Sequence, residues 1–167
     1  KPIAERLKYM PNEIVADSHE YVTVLFADVD NFTTMSAQMS PVDLVNLLNK
    51  VFTEFDQLAE KYGIEKIKTI GDCYMVAGGV PLPRVDHAQA ITQFACEIRD
   101  LVARTEFDGK RLNFRFGISS GPLMGGVIGQ KKFAYDLWGD TVNTASRMES
   151  NGKANIIQIT EATYRLI

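Results

Sequence analysis

Residues 21–27, Tyr-Val-Thr-Val-Leu-Phe-Ala, are β-branched, aromatic or apolar throughout. A run of this kind reads as a central strand covered on both faces. Asp28 ends it, in Val22-Thr-Val-Leu-Phe-Ala-Asp28-Val-Asp-Asn-Phe-Thr33. A second aspartate, Asp72, sits in Ile67-Lys-Thr-Ile-Gly-Asp72-Cys-Tyr-Met-Val76. Each carboxylate lies where a buried strand gives way to a turn, at the rim of a sheet and within reach of a ligand. Two carboxylates brought together there repel each other unless a cation lies between them. The residues point to a divalent-metal site, and oxygen-only ligands favour magnesium or manganese.

The remaining chain bounds the answer. Its 167 residues suit one domain with a real core. A net charge of −3 gives no attraction to nucleic acid or to a membrane surface, so a polyanionic ligand must be held by local groups and metal. Cys73 and Cys96 fit neither a metal spacing nor a disulfide framework, and a reducing, cytoplasmic setting is expected. No apolar run is long enough to span a membrane, and no signal peptide is expected within these residues. The chain opens on Lys-Pro without an initiator Met and reads as an excerpt, with room for a membrane or sensor segment upstream.

Residues 1–20 read as a polar lead-in broken by Pro2 and Pro11. Ser40-Pro41-Val42-Asp43 starts a helix that Gly63 stops, with Leu44, Leu48, Val51, Phe55, Leu58 and Tyr62 at helical spacing. Residues 64–70 and 73–79 read as a hairpin joined at Gly71-Asp72. Asp86 is expected to cap a second helix with core face Ile91, Phe94, Ile98 and Leu101, and His87 to lie on the surface. Strands are expected at 111–119 and 123–128, separated by Gly121-Pro122. A third helix capped by Asp140 follows, then a short strand at 156–159 and a helix start at 160–166. This order predicts an α+β fold with a ferredoxin-like βαββαβ core and extra C-terminal elements, helices covering one face of the sheet.

With the motifs placed, the chain resembles a class III nucleotidyl cyclase catalytic domain. Phe26-Ala-Asp28-Val-Asp-Asn-Phe32-Thr is similar to the first metal motif of that family. Glu65-Lys-Ile-Lys68-Thr-Ile-Gly71-Asp72 resembles the second, and Asp136-Leu-Trp-Gly-Asp140-Thr-Val-Asn143-Thr-Ala-Ser-Arg147-Met-Glu149-Ser the third. The match spans about residues 20–167, with 21–167 taken as the catalytic domain, and Ile3-Ala-Glu-Arg-Leu-Lys8 resembles the segment that precedes many such domains.

The resemblance implies conversion of ATP to 3′,5′-cyclic AMP and pyrophosphate, with two Mg²⁺ or Mn²⁺ ions per site in two-metal phosphoryl chemistry. It assigns the metals to Asp28, Asp72 and the Val29 carbonyl. The backbone N–H groups after Asn31, through Phe32 and Thr33, would cradle phosphates, and Arg115 would contact the triphosphate. Lys68 would donate to N1 of adenine and Asp136 accept from its 6-amino group. Guanine reverses both edges, and Glu with Cys stands at these places in the guanylate-forming branch. Asn143 would orient the ribose and Arg147 stabilise charge on the α-phosphate. From the residues alone, Lys68 also reads as a lysine reaching to water, and Asn143 with Arg147 as a solvated polar stripe.

In this family the metal aspartates come from one subunit and the purine and transition-state residues from the other. A head-to-tail homodimer is therefore implied, with 122–138 as an interface arm carrying Phe133, Tyr135 and Trp138. Two departures stand out. Asp30-Asn31 replaces the common apolar–glycine pair, and the chain ends at Ile167, before the hairpin that carries a phosphate-binding lysine, so truncation is expected. The alternatives are a guanylate cyclase, a catalytically silent dimerisation domain and a general nucleotide-binding domain of the same fold.

Overall fold

The computed structural model describes residues 15–129 and 132–167. The Ile3–Lys8 segment and residues 1–14 of the expected lead-in lie outside them. Strand β1 (Ala16–Val29) is longer at both ends than the expected 21–27 and sits at the centre of the sheet. It is followed by α1 (Phe32–Ala37), α2 (Pro41–Tyr62), the hairpin β2 (Glu65–Ile70) and β3 (Cys73–Gly78), and α3 (His87–Arg104). Then come β4 (Phe114–Ile128), β5 (Ala134–Trp138), α4 (Asp140–Ser150), β6 (Ile157–Ile159) and α5 (Glu161–Leu166). The strand order is β2-β3-β1-β4-β5, antiparallel throughout, with β6 added parallel to β4.

The two-faced apolar character of β1 is used in full. Leu25, Ala27 and Val29 feed a layer beneath α2 and α3, against Phe55, Ile91 and Phe94. Val22, Val24 and Phe26 feed the opposite layer with Met75, Leu137 and Ala145 of α4. Helices therefore lie on both faces, not one, because alternate residues of a strand point to opposite sides. Gly117 of β4 permits the close seat of α4: a Cβ there would overlap the Glu149 amide nitrogen and the Ala145 carbonyl oxygen. Gly117→Ala is expected to cost about 3 kcal/mol and to lower the melting temperature by roughly 6–12 °C, measurable by thermal denaturation.

Ser40 caps α2 by accepting from the Asp43 amide at 3.1 Å, and Gly63 ends it in the left-handed region at φ 65°, as expected. Further expectations are corrected. The strands at 111–119 and 123–128 are one strand, β4. Pro122 lies opposite the irregularity between His19 and Val22, where its missing N–H removes no ladder bond. Asp140 does not cap α4: Gly139 takes the cap position at φ 132° and Asp140 falls in the first turn. Asp86 stands at the cap position of α3 without capping it, its oxygens taken by Arg84 Nε at 2.7 Å and Nη2 at 3.0 Å.

His87 is buried rather than on the surface, with Nδ1 2.7 Å from Thr23 Oγ1. Thr23 continues to Ser120 Oγ at 2.7 Å and Ser120 to Thr163 Oγ1 at 2.7 Å. Burial lowers the His87 pKa below 6.5. The folded state thus disfavours a proton that the unfolded chain accepts near pH 6.5. The stability is present above that pH and lost as pH falls towards the folded value. Melting temperature is expected to decline below about pH 6.5 more steeply in wild type than in His87→Gln.

Candidate active site

The sheet register assembles the site. Asp28 of β1 stands opposite Cys73 of β3 on one side and Arg115 of β4 on the other. The Arg115 guanidinium places Nη2 3.1 Å from Asp28 Oδ2, Nε 3.0 Å from Glu149 Oε2 and Nη1 3.6 Å from Asp30 Oδ1. Glu149 comes from α4, over Gly117, with its side chain 5% exposed. Its role escaped the sequence reading, although a signal existed: Thr141, Ala145 and Glu149 recur every four residues and form the buried stripe of α4.

Asp72, at the hairpin tip, is pushed up to about 7 by burial, then by hydrogen bonding to and the charge of Asp28. Glu149 is pushed up to about 7 by burial and then by Asp28, against the opposing pull of Arg115. Asp28 Oδ1 is buried with no hydrogen-bond partner in the structure. An orphaned carboxylate oxygen beside a second carboxylate that resists ionisation fits a hard divalent cation. Cys73 also comes near, its sulfur within 4.8 Å of ligand oxygens of Asp28 and Glu149. Burial pushes its thiol well above the usual range, so without a metal it stays protonated.

A cavity of about 320 Å³ joins Asp28, Asp72 and Arg115 to Val29, Asn31, Phe32 and Thr33. Residues from β1, the start of α1, the β2–β3 turn and β4 thus share one space. Asn31 stands at the start of α1 in the left-handed region, at φ 57° and ψ 33°, a conformation that Asn tolerates better than most residues.

The purine-facing candidates come together elsewhere. Lys68 Nζ lies 2.8 Å from Asp136 Oδ2. Their strands, β2 and β5, are at opposite ends of the main strand path, so the pair forms only because the twisted sheet coils its edges towards each other. Ile67 and Tyr135 pack in the same layer. Asn143 and Arg147 are exposed, four residues apart on α4, and do not line the Asp28 cavity. On the expected arm, Met124, Ile128, Phe133 and Trp138 are exposed apolar side chains. Among the described residues no helix is long and apolar enough to cross a membrane.

A family model described as the adenylate and guanylate cyclase catalytic domain matches residues 14–167. An adenylate cyclase of Mycobacterium bovis is 44% identical over 163 residues, which cover 97% of this chain and 37% of that protein. Soluble guanylate cyclase subunit beta-2 of Rattus norvegicus is 40% identical over 168 residues, covering 99% of this chain and 24% of its own length. The chain thus spans well under half the length of these relatives. Among solved structures, the catalytic core of a rhodopsin-guanylyl cyclase with converted specificity, in complex with ATPαS, superposes with a TM-score of 0.88. It is 43% identical and covers 91% of this chain and 83% of that one. Relatives of both substrate types match at similar identity, and with the family model spanning both aspartate motifs and α4, the chain belongs to the adenylate and guanylate cyclase catalytic domain family.

Proposed function

We propose that this domain is an adenylate cyclase, converting ATP to 3′,5′-cyclic AMP and pyrophosphate at the interface of a head-to-tail homodimer. The observation that carries the substrate choice is the Lys68–Asp136 pair, whose polar atoms are 2.8 Å apart. Lys68 brings only donors and an ionised Asp136 only acceptors. Adenine offers the complement, an acceptor at N1 and a donor at the 6-amino group. Guanine offers a donor at N1 and an acceptor at O6, and would leave both side chains facing like groups.

Asp28, Asp72 and the Val29 carbonyl hold the divalent cations, supported by the orphaned Asp28 oxygen and the raised Asp72 carboxyl. When bound, the cations acidify the ribose 3′-hydroxyl and neutralise phosphate charge. Arg115 and the backbone from Asn31 to Thr33 hold the triphosphate. Asn143 of the second copy orients the ribose so that O3′ faces the α-phosphorus, opposite the bond to pyrophosphate. Arg147 of that copy meets the charge that builds on the α-phosphate oxygens as the O3′–P bond forms and the bond to pyrophosphate breaks. The exposure of Asn143 and Arg147, away from the Asp28 cavity, supports their use by a partner.

The test is incubation of the purified domain with Mn²⁺ and either ATP or GTP, with cyclic products quantified. Cyclic AMP is expected to dominate. Dominant cyclic GMP would overturn the base assignment. No product from either nucleotide, with the domain folded and dimeric, favours the silent dimerisation reading.

A further inference from the structure

The first metal motif carries Asp30-Asn31 where the apolar–glycine pair was expected, and the structure gives both residues work. The three guanidinium nitrogens of Arg115 each face a different carboxylate: Nε that of Glu149, Nη2 that of Asp28 and Nη1 that of Asp30. A planar fork met on all sides has one orientation. Asp30 is itself held. Its amide donates to the Asn113 carbonyl at 2.7 Å, and Asn31 Nδ2 donates to Asp30 Oδ2 at 3.3 Å, leaving Oδ1 for Arg115. The left-handed conformation of Asn31 turns its amide back onto Asp30.

Asp28 is the contested group. Arg115 takes its Oδ2, while Oδ1 is buried without a partner. A cation entering at Asp28 meets the guanidinium charge beside the same carboxylate. A side chain that draws that charge away raises the affinity of Asp28 for the cation.

We propose that Asp30 is a positioning residue: its carboxylate, at ion-pair distance of 3.6 Å from Nη1 of Arg115, draws the guanidinium charge off Asp28 and so raises the affinity of Asp28 for a divalent cation. This rests on the reading of Asp28 and Asp72 as metal ligands. An apolar residue at position 30 leaves Nη1 without its carboxylate, and the guanidinium then shares its charge between Asp28 and Glu149 alone. Cation affinity drops as Arg115 leans onto Asp28.

Two measurements on the whole chain, without nucleotide, test this. In arginine-labelled protein, ¹⁵N NMR is expected to resolve separate Nη1 and Nη2 signals for Arg115. The Nη1 signal should shift in Asp30→Asn and Asp30→Val and return in Asp30→Glu, with Nη2, still paired with Asp28, staying resolved from it. Mn²⁺ affinity, read by electron paramagnetic resonance of free Mn²⁺, should weaken about tenfold in Asp30→Asn and Asp30→Val and recover in Asp30→Glu. Asp72→Ala serves as the control for the metal site. If Asp72→Ala loses Mn²⁺ while Asp30→Asn and Asp30→Val bind it as wild type does, the Asp30 proposal alone is overturned. If wild type and Asp72→Ala bind Mn²⁺ equally weakly, the metal reading fails and this proposal with it. Two variants guard against misfolding, since Val restores the apolar residue type of the family pattern.

Discussion

Asp28→Ala and Asn143→Ala are each expected to lose at least about 10²–10³ of cyclase rate, and an equal mixture to recover about a quarter of wild-type activity. The two residues belong to different parts of the chain surface. Asp28 lines the cavity with Asp72 and Arg115, whereas Asn143 is exposed on α4 outside it. In the proposed two-fold dimer each site would take its aspartates from one copy and its asparagine from the other. A heterodimer of the two variants holds one intact site and one doubly defective site. Half of randomly exchanged dimers are mixed, and half of their sites work, which gives the quarter. The measurement is product formation after mixing, with heterodimers verified by differently tagged copies. No recovery in verified heterodimers would remove the shared-site reading and place the whole reaction within one chain.

The second large effect is expected at the base pocket. Lys68→Glu combined with Asp136→Cys should shift the ratio of kcat/KM from ATP towards GTP. The upper bound is about 10⁴–10⁵ for a site whose polar groups are all paired. Lys68 Nζ and Asp136 Oδ2 already touch at 2.8 Å, so the two substitutions are coupled. Lys68→Glu alone sets a carboxylate against Asp136 and should be weakly active with either nucleotide. Adding Asp136→Cys removes the repulsion and should restore turnover with GTP above that of the single variant. A double variant that still prefers ATP would show that the base is selected elsewhere.

Much of this site was legible because its motifs are local. Asp28 at the end of a buried run and Asp72 at a glycine turn announce their positions by the residues beside them. The capped α2 and the hairpin follow from short-range spacing in the same way. Asn143 and Arg147 share a helix face by spacing alone. Failures came where distant segments decide. His87 follows an acidic residue that resembles a cap, yet Thr23, 64 residues away, buries and binds it. Gly121-Pro122 resembles a turn, yet the bulge on β1 lets β4 run through. Asp86 resembles a cap, yet Arg84 holds both of its oxygens.

The sequence by itself determined the central strand, the placing of two aspartates where buried strands give way to turns, the capped α2 and the β2–β3 hairpin. Each is set by neighbours within a few positions, so backbone propensity and side-chain period suffice. Only the tertiary structure decided that one guanidinium meets Asp28, Asp30 and Glu149 together, that helices cover both faces of the sheet, and that Lys68 reaches Asp136. Those contacts depend on strand register, on the glycine that seats α4 and on the coiling of a twisted sheet. Such quantities arise from packing over the whole chain and leave no mark on any short stretch of it.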